Sequence, residues 1–366
     1  MAKITHQSFS FSQIAWRRLK KNKGAMIGLT IIFLAILTGV FAYFIATDST
    51  PAADRQIVEI QAKKPGYTQV FLKLKKQKNI SETGLLKKLL YGAEDSFNLI
   101  PINNYLLKSD SVTIQKYIDE GVEEKISIPF AKICSPNYIV TQTFWLGTDR
   151  FGRDILSRLI VGIRVSLAVG MITVLISLTL GILLGCIAGY FRGLADNIIM
   201  WLINVIWSIP TLLLVFGITL ALGKGFWQIF IAVGLTMWVS VARLIRGQVL
   251  ALRELEYVHA AKALGLKDIR IISRHILPNV LGPVIVIAAS NFATAIIVEA
   301  GLSFLGVGVQ PPQPSWGMMI KENYNFIITH NPMLALAPGI AIMILVLAFN
   351  LLGNGLRDAL DVKGKL

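Results

Sequence analysis

The chain has 366 residues, a mean hydropathy of +0.62 and charged residues at only 16% of positions. Its apolar residues fall in unbroken runs rather than at helical or strand spacing, so a water-soluble globular protein is excluded and bilayer-spanning helices are predicted. The formal net charge of +15 does not indicate nucleic acid, because most of it lies on the flanks of the apolar runs, where membrane topology alone accounts for it.

Six spans are predicted, which makes the fold class an all-α membrane protein. The first is Ala25–Ala46, after a segment carrying Arg17, Arg18, Lys20, Lys21 and Lys23. It is longer than a signal-peptide core and no small-residue cleavage site follows it. The second lies near Val161–Gly189, the third near Ile198–Leu222 and the fourth near Phe226–Val241. The fifth lies near Leu281–Val307 and the sixth near Met333–Gly353. The basic N-terminal flank predicts a cytoplasmic N-terminus, and six crossings return the C-terminus, with Arg357, Lys363 and Lys365, to the same side. Outer loops carry little positive charge, with Lys224 and Lys321 in the short ones.

The expected organisation is a cytoplasmic segment 1–24, the span 25–46, an extracytoplasmic insert 47–143, a core 144–353 holding a cytoplasmic loop 244–280, and a tail 354–366. Between Thr47 and Val140 the composition turns polar, with 13 Lys and Arg against 11 Asp and Glu. The runs "TQVFLKLKK" and "KISIPFAKI" alternate as half-buried strands do, and "TGLLKKLLYG" has the pattern of a short amphipathic helix. A small α+β domain is predicted, with a loosely ordered loop as the alternative. The stretch Phe144–Gly170 follows, with Asp149, Arg150, Arg153, Asp154, Arg158 and Arg164 close together. It is predicted to be an interfacial amphipathic helix whose Arg stems snorkel. It serves either as an entry helix or as a surface for an outer partner. Cys134 and Cys186 are predicted to lie too far apart to form a disulfide.

The motifs of catalysis are missing. There is no GxxxxGK[ST], CxxC, HExxH or GxSxG, and His6, His259, His275 and His330 show no metal-ligand spacing. No catalytic, cofactor-binding or metal-ligating residue is predicted. An energy source, if used, belongs to another chain. Glu299 is the acidic residue inside a span; it is either a structural, paired carboxylate or a proton relay.

The stretch "EYVHAAKALGLKDIRIISRHILPN", Glu256–Asn279, lies among seven Lys or Arg residues from Arg243 to Arg274. Glu254, Tyr257, Val258, Ala261 and Leu264 have helical spacing, Gly265 permits a reversal, and Leu266–Ile276 restarts a helix that Pro278 closes. Lys267, Asp268, Arg270 and Arg274 form its wet face, and the small residues Ala260, Ala261 and Gly265 permit close approach by another surface. A plain connector would be shorter. The pattern is that of a lever presented to a soluble partner.

That stretch resembles the EAA loop of permease subunits of ABC importers. His259-Ala260-Ala261 stands in the EAA place, Gly265 is the glycine, and Leu277-Pro278 ends the motif. His259 replaces the Glu and His275 occupies a position that is otherwise hydrophobic. Four further stretches, Trp16–Leu29, Leu146–Leu167, Glu299–Gly317 and Asn350–Asp361, are similar to the second permease subunit of the dipeptide, oligopeptide and nickel systems. The resemblance covers the chain except about Thr47–Thr143. It implies a type I importer core and a pore subunit carrying di- or oligopeptides, with nickel as the alternative cargo. A secondary transporter using Glu299 and a membrane-anchored sensor remain as other classes. The implied partners are a homologous permease, two cytoplasmic ABC ATPases that bind the ATP, an extracytoplasmic substrate-binding protein and the lipid bilayer, with no nucleic acid. The implied docking residues are Tyr257, His259, Ala260, Ala261, Gly265, Leu277 and Pro278. The implied location is the cytoplasmic membrane of a prokaryote.

Overall fold

The computed structural model describes residues 11–76, 84–134, 136–223, 225–328 and 331–361. His6, Lys224, His330, Lys363 and Lys365, singled out above, lie outside them. In chain order the regular elements begin with α1 (Phe11–Lys21), α2 (Lys23–Val40) and α3 (Ala42–Ile45). Next come β1 (Tyr67–Lys75), α4 (Leu85–Tyr91), β2 (Phe97–Leu107), β3 (Ser111–Asp119), β4 (Val122–Pro129) and β5 (Ile139–Phe144). The remaining helices are α5 (Ile155–Phe191), α6 (Gly193–Trp207), α7 (Thr211–Leu222), α8 (Phe226–Arg253), α9 (Glu256–Ala263), α10 (Asp268–Ile271), α11 (Leu277–Leu305), α12 (Trp316–Asn323) and α13 (Met333–Leu360).

Among the described residues five helical segments are long and apolar enough to cross a membrane, and a bent pair brings the number to six. The bent pair corrects the third predicted span. The chain turns by 94° between α6 and α7. Pro210 explains the break, because it lacks an N–H and disfavours a helical residue before it. The other apolar runs form spans where predicted, and several helices extend well past them. Two compact units are present, one made of 1–35, 167–302 and 342–366, the other of 36–166 and 303–341.

In the first unit α5 meets α8 along glycines four residues apart. A Cβ at Gly185 would lie 2.7 Å from the Ala242 carbonyl oxygen, and one at Gly189 would lie 2.9 Å from that of Arg246. Small residues at i and i+4 allow this backbone-level contact, as in other membrane helix pairs. Arg246 is held by Asp196 of α6 through two contacts of 2.5 and 2.6 Å, and the Arg243 guanidinium lies 3.7 Å from the Trp207 ring.

The second unit contains a five-stranded antiparallel sheet in the order β4-β3-β2-β1-β5. Each face carries a buried cluster. Leu72, Ile102, Val112, Ile114, Ile128 and Ile133 form one core, and Ile57, Ile60, Phe71, Tyr117 and Phe144 form another. The two strands and the short helix expected from sequence are β1, β4 and α4. The "KISIPFAKI" strand stops at Pro129, where the chain turns through Phe130–Lys132 and returns Ile133 to the core. Cys134 and Cys186 are both free thiols.

The expectation of snorkelling arginines before the second span is overturned. Helix α5 starts only at Ile155, and Arg153 and Arg158 are each 2% exposed. Arg153 contacts Asp149 at 2.6 Å, Glu322 at 2.7 Å and Asp54 at 3.0 Å. Arg158 lies 3.5 Å from Glu322 and 3.6 Å from Asp54. Two distant carboxylates, Asp54 and Glu322, together with the neighbouring Asp149, thus replace the water and headgroups that snorkelling would seek. Burial alone would lower the Arg153 pKa, but Asp149 and Glu322 outweigh it and raise the value above the usual one. Glu322 is brought in by α12. The Ser315 hydroxyl caps that helix by accepting from the Met318 N–H at 3.1 Å, and the Trp316 indole N–H donates to the Leu159 carbonyl at 3.0 Å.

Candidate coupling loop

Two residues, Glu254 and Leu255, separate α8 from α9, whose C-terminus is a Schellman turn. The Gly265 N–H donates to the Lys262 carbonyl at 3.0 Å and the Leu266 N–H to the Ala261 carbonyl at 3.2 Å. Gly265 sits at φ +74°, the left-handed region in which an L side chain is strained. Leu266 packs back on the core that holds Val258 and Ala261, supplying the apolar contact that accompanies such turns.

The second half of the loop departs from the expected pattern. Pro278 does not end a helix. The helix runs on from Asp268 to Leu305 through a π-helical segment, Ile272–Ile276. Pro278 lacks an N–H, and its ring would crowd the Arg274 carbonyl in a regular α-helix; the wider π turn accommodates both. The nearby His275 carbonyl accepts from the Asn279 side-chain amide at 2.7 Å. Asn279 also donates to the Tyr257 hydroxyl at 3.3 Å, so α9 is tied across to the start of α11.

The loop has one face inside and one outside. Val258 and Ala261 of α9, and Ile271, Ile276 and Val280 further on, share a core with Val241, Ile245 and Val249 of α8 and with Cys186 and Tyr190 of α5. Ala261 is therefore not available to a partner, contrary to expectation: its position on α9 turns it inward. Tyr257, His259, Ala260, Gly265 and Pro278 are exposed, and Leu277 is half-buried. The predicted loop residues thus fall together on one short stretch, but on both of its faces. Glu299 is on α11 and fully buried.

Polar contacts fasten the loop at its edges. The Tyr190 hydroxyl donates to Asp268 at 2.7 Å, Arg192 pairs with Glu254 at 2.8 Å, and Arg253 donates to the Tyr190 carbonyl. His259, standing in the EAA glutamate's place, has its Nε2 3.9 Å from the Glu254 carboxylate. The seven cations of this region divide accordingly. Arg243, Arg246 and Arg253 engage the protein's own groups, while Lys262, Lys267, Arg270 and Arg274 are exposed. Leu264 and Ile269, flanking Gly265, are 81% and 77% exposed. Sequence reasoning counted Leu264 only as a helically spaced residue beside Val258 and Ala261, and did not single out Ile269 or Tyr190. The signal for the pair was present, as two large apolar residues at wet positions beside the turn; Tyr190 carried none.

The turn is thus backed by a core, and Leu264 at the turn and Ile269 on α10 project bare apolar side chains among exposed cations. The family model described as "Binding-protein-dependent transport system inner membrane component" matches residues 181–363, and that of the "N-terminal TM domain of oligopeptide transport permease C" matches residues 10–65. The chain belongs to the binding-protein-dependent permease family. It is 40% identical over 299 residues to the dipeptide transport system permease protein DppC of Alkalihalophilus pseudofirmus, covering 82% of this chain and 90% of that one. It is 32% identical over 360 residues to DppC of Bacillus subtilis, covering 98% and 88%. It is 43% identical over 221 residues to the glutathione transport system permease protein GsiD of Pectobacterium atrosepticum, covering 60% and 73%. This permease is accordingly a multi-pass membrane subunit and not itself a catalytic one.

Proposed function

We propose that this permease is one of two homologous pore subunits of an ATP-driven importer of short peptides. Its relatives' dipeptide and glutathione cargoes support peptide over nickel. Two ABC ATPases bind the ATP and dock on the loop, and a binding protein delivers cargo from the opposite side; the permease itself holds no cofactor. The loop, both termini and the basic flank Arg17–Lys23 lie in the cytoplasm of a prokaryote, and the sheet-bearing insert faces outward. The observation that carries this reading is the projecting pair Leu264 and Ile269 on a turn that shares its core with α8. When the ATPases close, the loop moves and carries the spans with it, changing the side on which the cavity opens. Glu299 is then a structural acid of the core rather than a proton carrier.

Reconstitution tests this reading. Liposomes holding the permease, its homologous partner and the ATPases, supplied with binding protein outside and ATP inside, should accumulate a dipeptide. Vanadate should stop the uptake and a protonophore should not. Uptake that follows a proton gradient without ATP, or that moves nickel and no peptide, would overturn it.

A further inference from the structure

Helix α4 of the insert is left without a role by the importer reading. Its seven residues, LLKKLLY, turn Lys88 and Leu89 toward the protein. Leu86 and Leu90, one turn apart, are 77% and 53% exposed, and Tyr91 and Lys87 flank them on the open side. With Leu85, 76% exposed, these leucines form one contiguous apolar patch on a pinned helix, and such a patch marks a contact surface.

The helix is firmly placed. Lys88 Nζ lies 5.3 Å from the centre of the Phe44 ring, the Arg164 guanidinium donates to the Leu89 carbonyl at 3.1 Å, and the Ala93 N–H donates to the Ser49 carbonyl at 2.9 Å. These contacts seat α4 against α3, at the end of the first span. That span is apolar and only 22% buried within the chain, so most of its surface is left for lipid or a partner subunit. Phe44 and Ile45 of α3 are themselves exposed. The bare face of α4 therefore continues the exposed apolar surface of α3.

We propose that α4 is an interfacial anchor, holding the insert to the leaflet at the α3 end of the first span. Leu86 and Leu90 enter the acyl boundary. Tyr91 sits at the headgroup level where its ring and hydroxyl are both satisfied, and Lys87 extends to lipid phosphates. The continuity with that apolar, mostly exposed span and the presence of a lysine beside the leucines favour a phospholipid surface over a protein partner. The proposal rests only on the chain being a multi-pass membrane protein, so it stands or falls apart from the cargo.

The test uses the full-length chain with Cys134→Ser and Cys186→Ala as background. Single nitroxide labels are placed at position 86 or 90, with position 37 in the first span as the lipid reference and position 125 on β4 as the water reference. The protein is reconstituted in vesicles of phosphatidylethanolamine and phosphatidylglycerol, and label collisions with oxygen and with a nickel chelate are compared. Labels at 86 and 90 are expected to show an oxygen-to-chelate ratio several-fold above position 125 and near that of position 37. A water-like ratio at both positions overturns the proposal. Exclusion of both colliders also overturns it, since a protein surface, from a second copy or another chain, would then cover α4.

Discussion

The turn at Gly265 yields the sharpest prediction, because its cost is conformational alone. A Cβ at this position would find nothing within 4 Å. The strain of an L residue in the left-handed region is about 1–2 kcal/mol, which is on the order of a tenfold change in the turn's equilibrium constant. Gly265→Ala should incur that cost. Gly265→Val should exceed it, since a β-branched residue is a genuine outlier there. Gly265→Asn should lie nearest to wild type, because Asn visits this region readily. Failure of the turn would also release the hydrogen bonds from Gly265 and Leu266, each worth about 0.5–1.5 kcal/mol. The assays are recovery of ATPase on tagged permease and thermal unfolding in detergent, and the order Asn, Ala, Val should hold in both. If Asn proves as damaging as Val in ATPase recovery but harmless in unfolding, a partner surface pressing on the glycine sets the requirement. If all three behave as wild type, the turn is not strained.

The buried arginine cluster and the α5–α8 seam give two further expectations. Arg153→Met should destabilise the second unit by about 3–5 kcal/mol, since it removes the closest contacts and leaves the buried Asp149 and Glu322 only the more distant Arg158, and a melting shift no larger than that of the exposed Glu123→Gln would contradict this. Gly185→Ala should cost roughly 1–3 kcal/mol, since its Cβ would press on the Ala242 carbonyl and on Ile245, whereas Gly217→Ala in α7 meets open space and should be neutral or stabilising. Equal melting temperatures for the two glycine variants would show that the seam is looser than the packing implies.

What could be read from the sequence follows physical range. Spans are local, and unbroken apolar runs mark them; the break in the third span was written in the proline at 210. The helix–glycine–helix plan of the loop was also local, since a Schellman turn needs only a glycine at the right distance from a helix start. The fate of Arg153 and Arg158 was not local. Charges just before a span look the same whether lipid headgroups or buried carboxylates will meet them, and Asp54 and Glu322 arrive from far along the chain on either side. The inward turn of Ala261, beside an outward Ala260, depends on where α9 starts, and spacing alone does not fix that start. The π segment was equally hidden: ISRHI has no signature of its own, and Pro278 reads as a stop until the helix is seen to widen ahead of it.

The packing of the loop bears directly on how movement could pass through it. Val258, Ala261, Ile271 and Ile276 are not packed only on one another; they share one core with α8 and the end of α5. Fully withdrawing any one of the larger side chains from that core costs about 1.5–3 kcal/mol, so α9 cannot slide alone without losing several such contacts together. Moving with α8 keeps the contacts made to that helix. The glycine seam extends the same argument to α5, whose backbone already touches α8 at Gly185 and Gly189 and has no slack to absorb a shift. Tyr190 closes the chain of contacts, since its ring lies in the shared core while its hydroxyl holds Asp268 and its carbonyl receives Arg253. A push on Leu264 or Ile269 therefore has one low-cost outcome, displacement of the loop together with α8 and the end of α5. Under the proposed function, coupling through this common hydrophobic core needs no line of individually signalling residues.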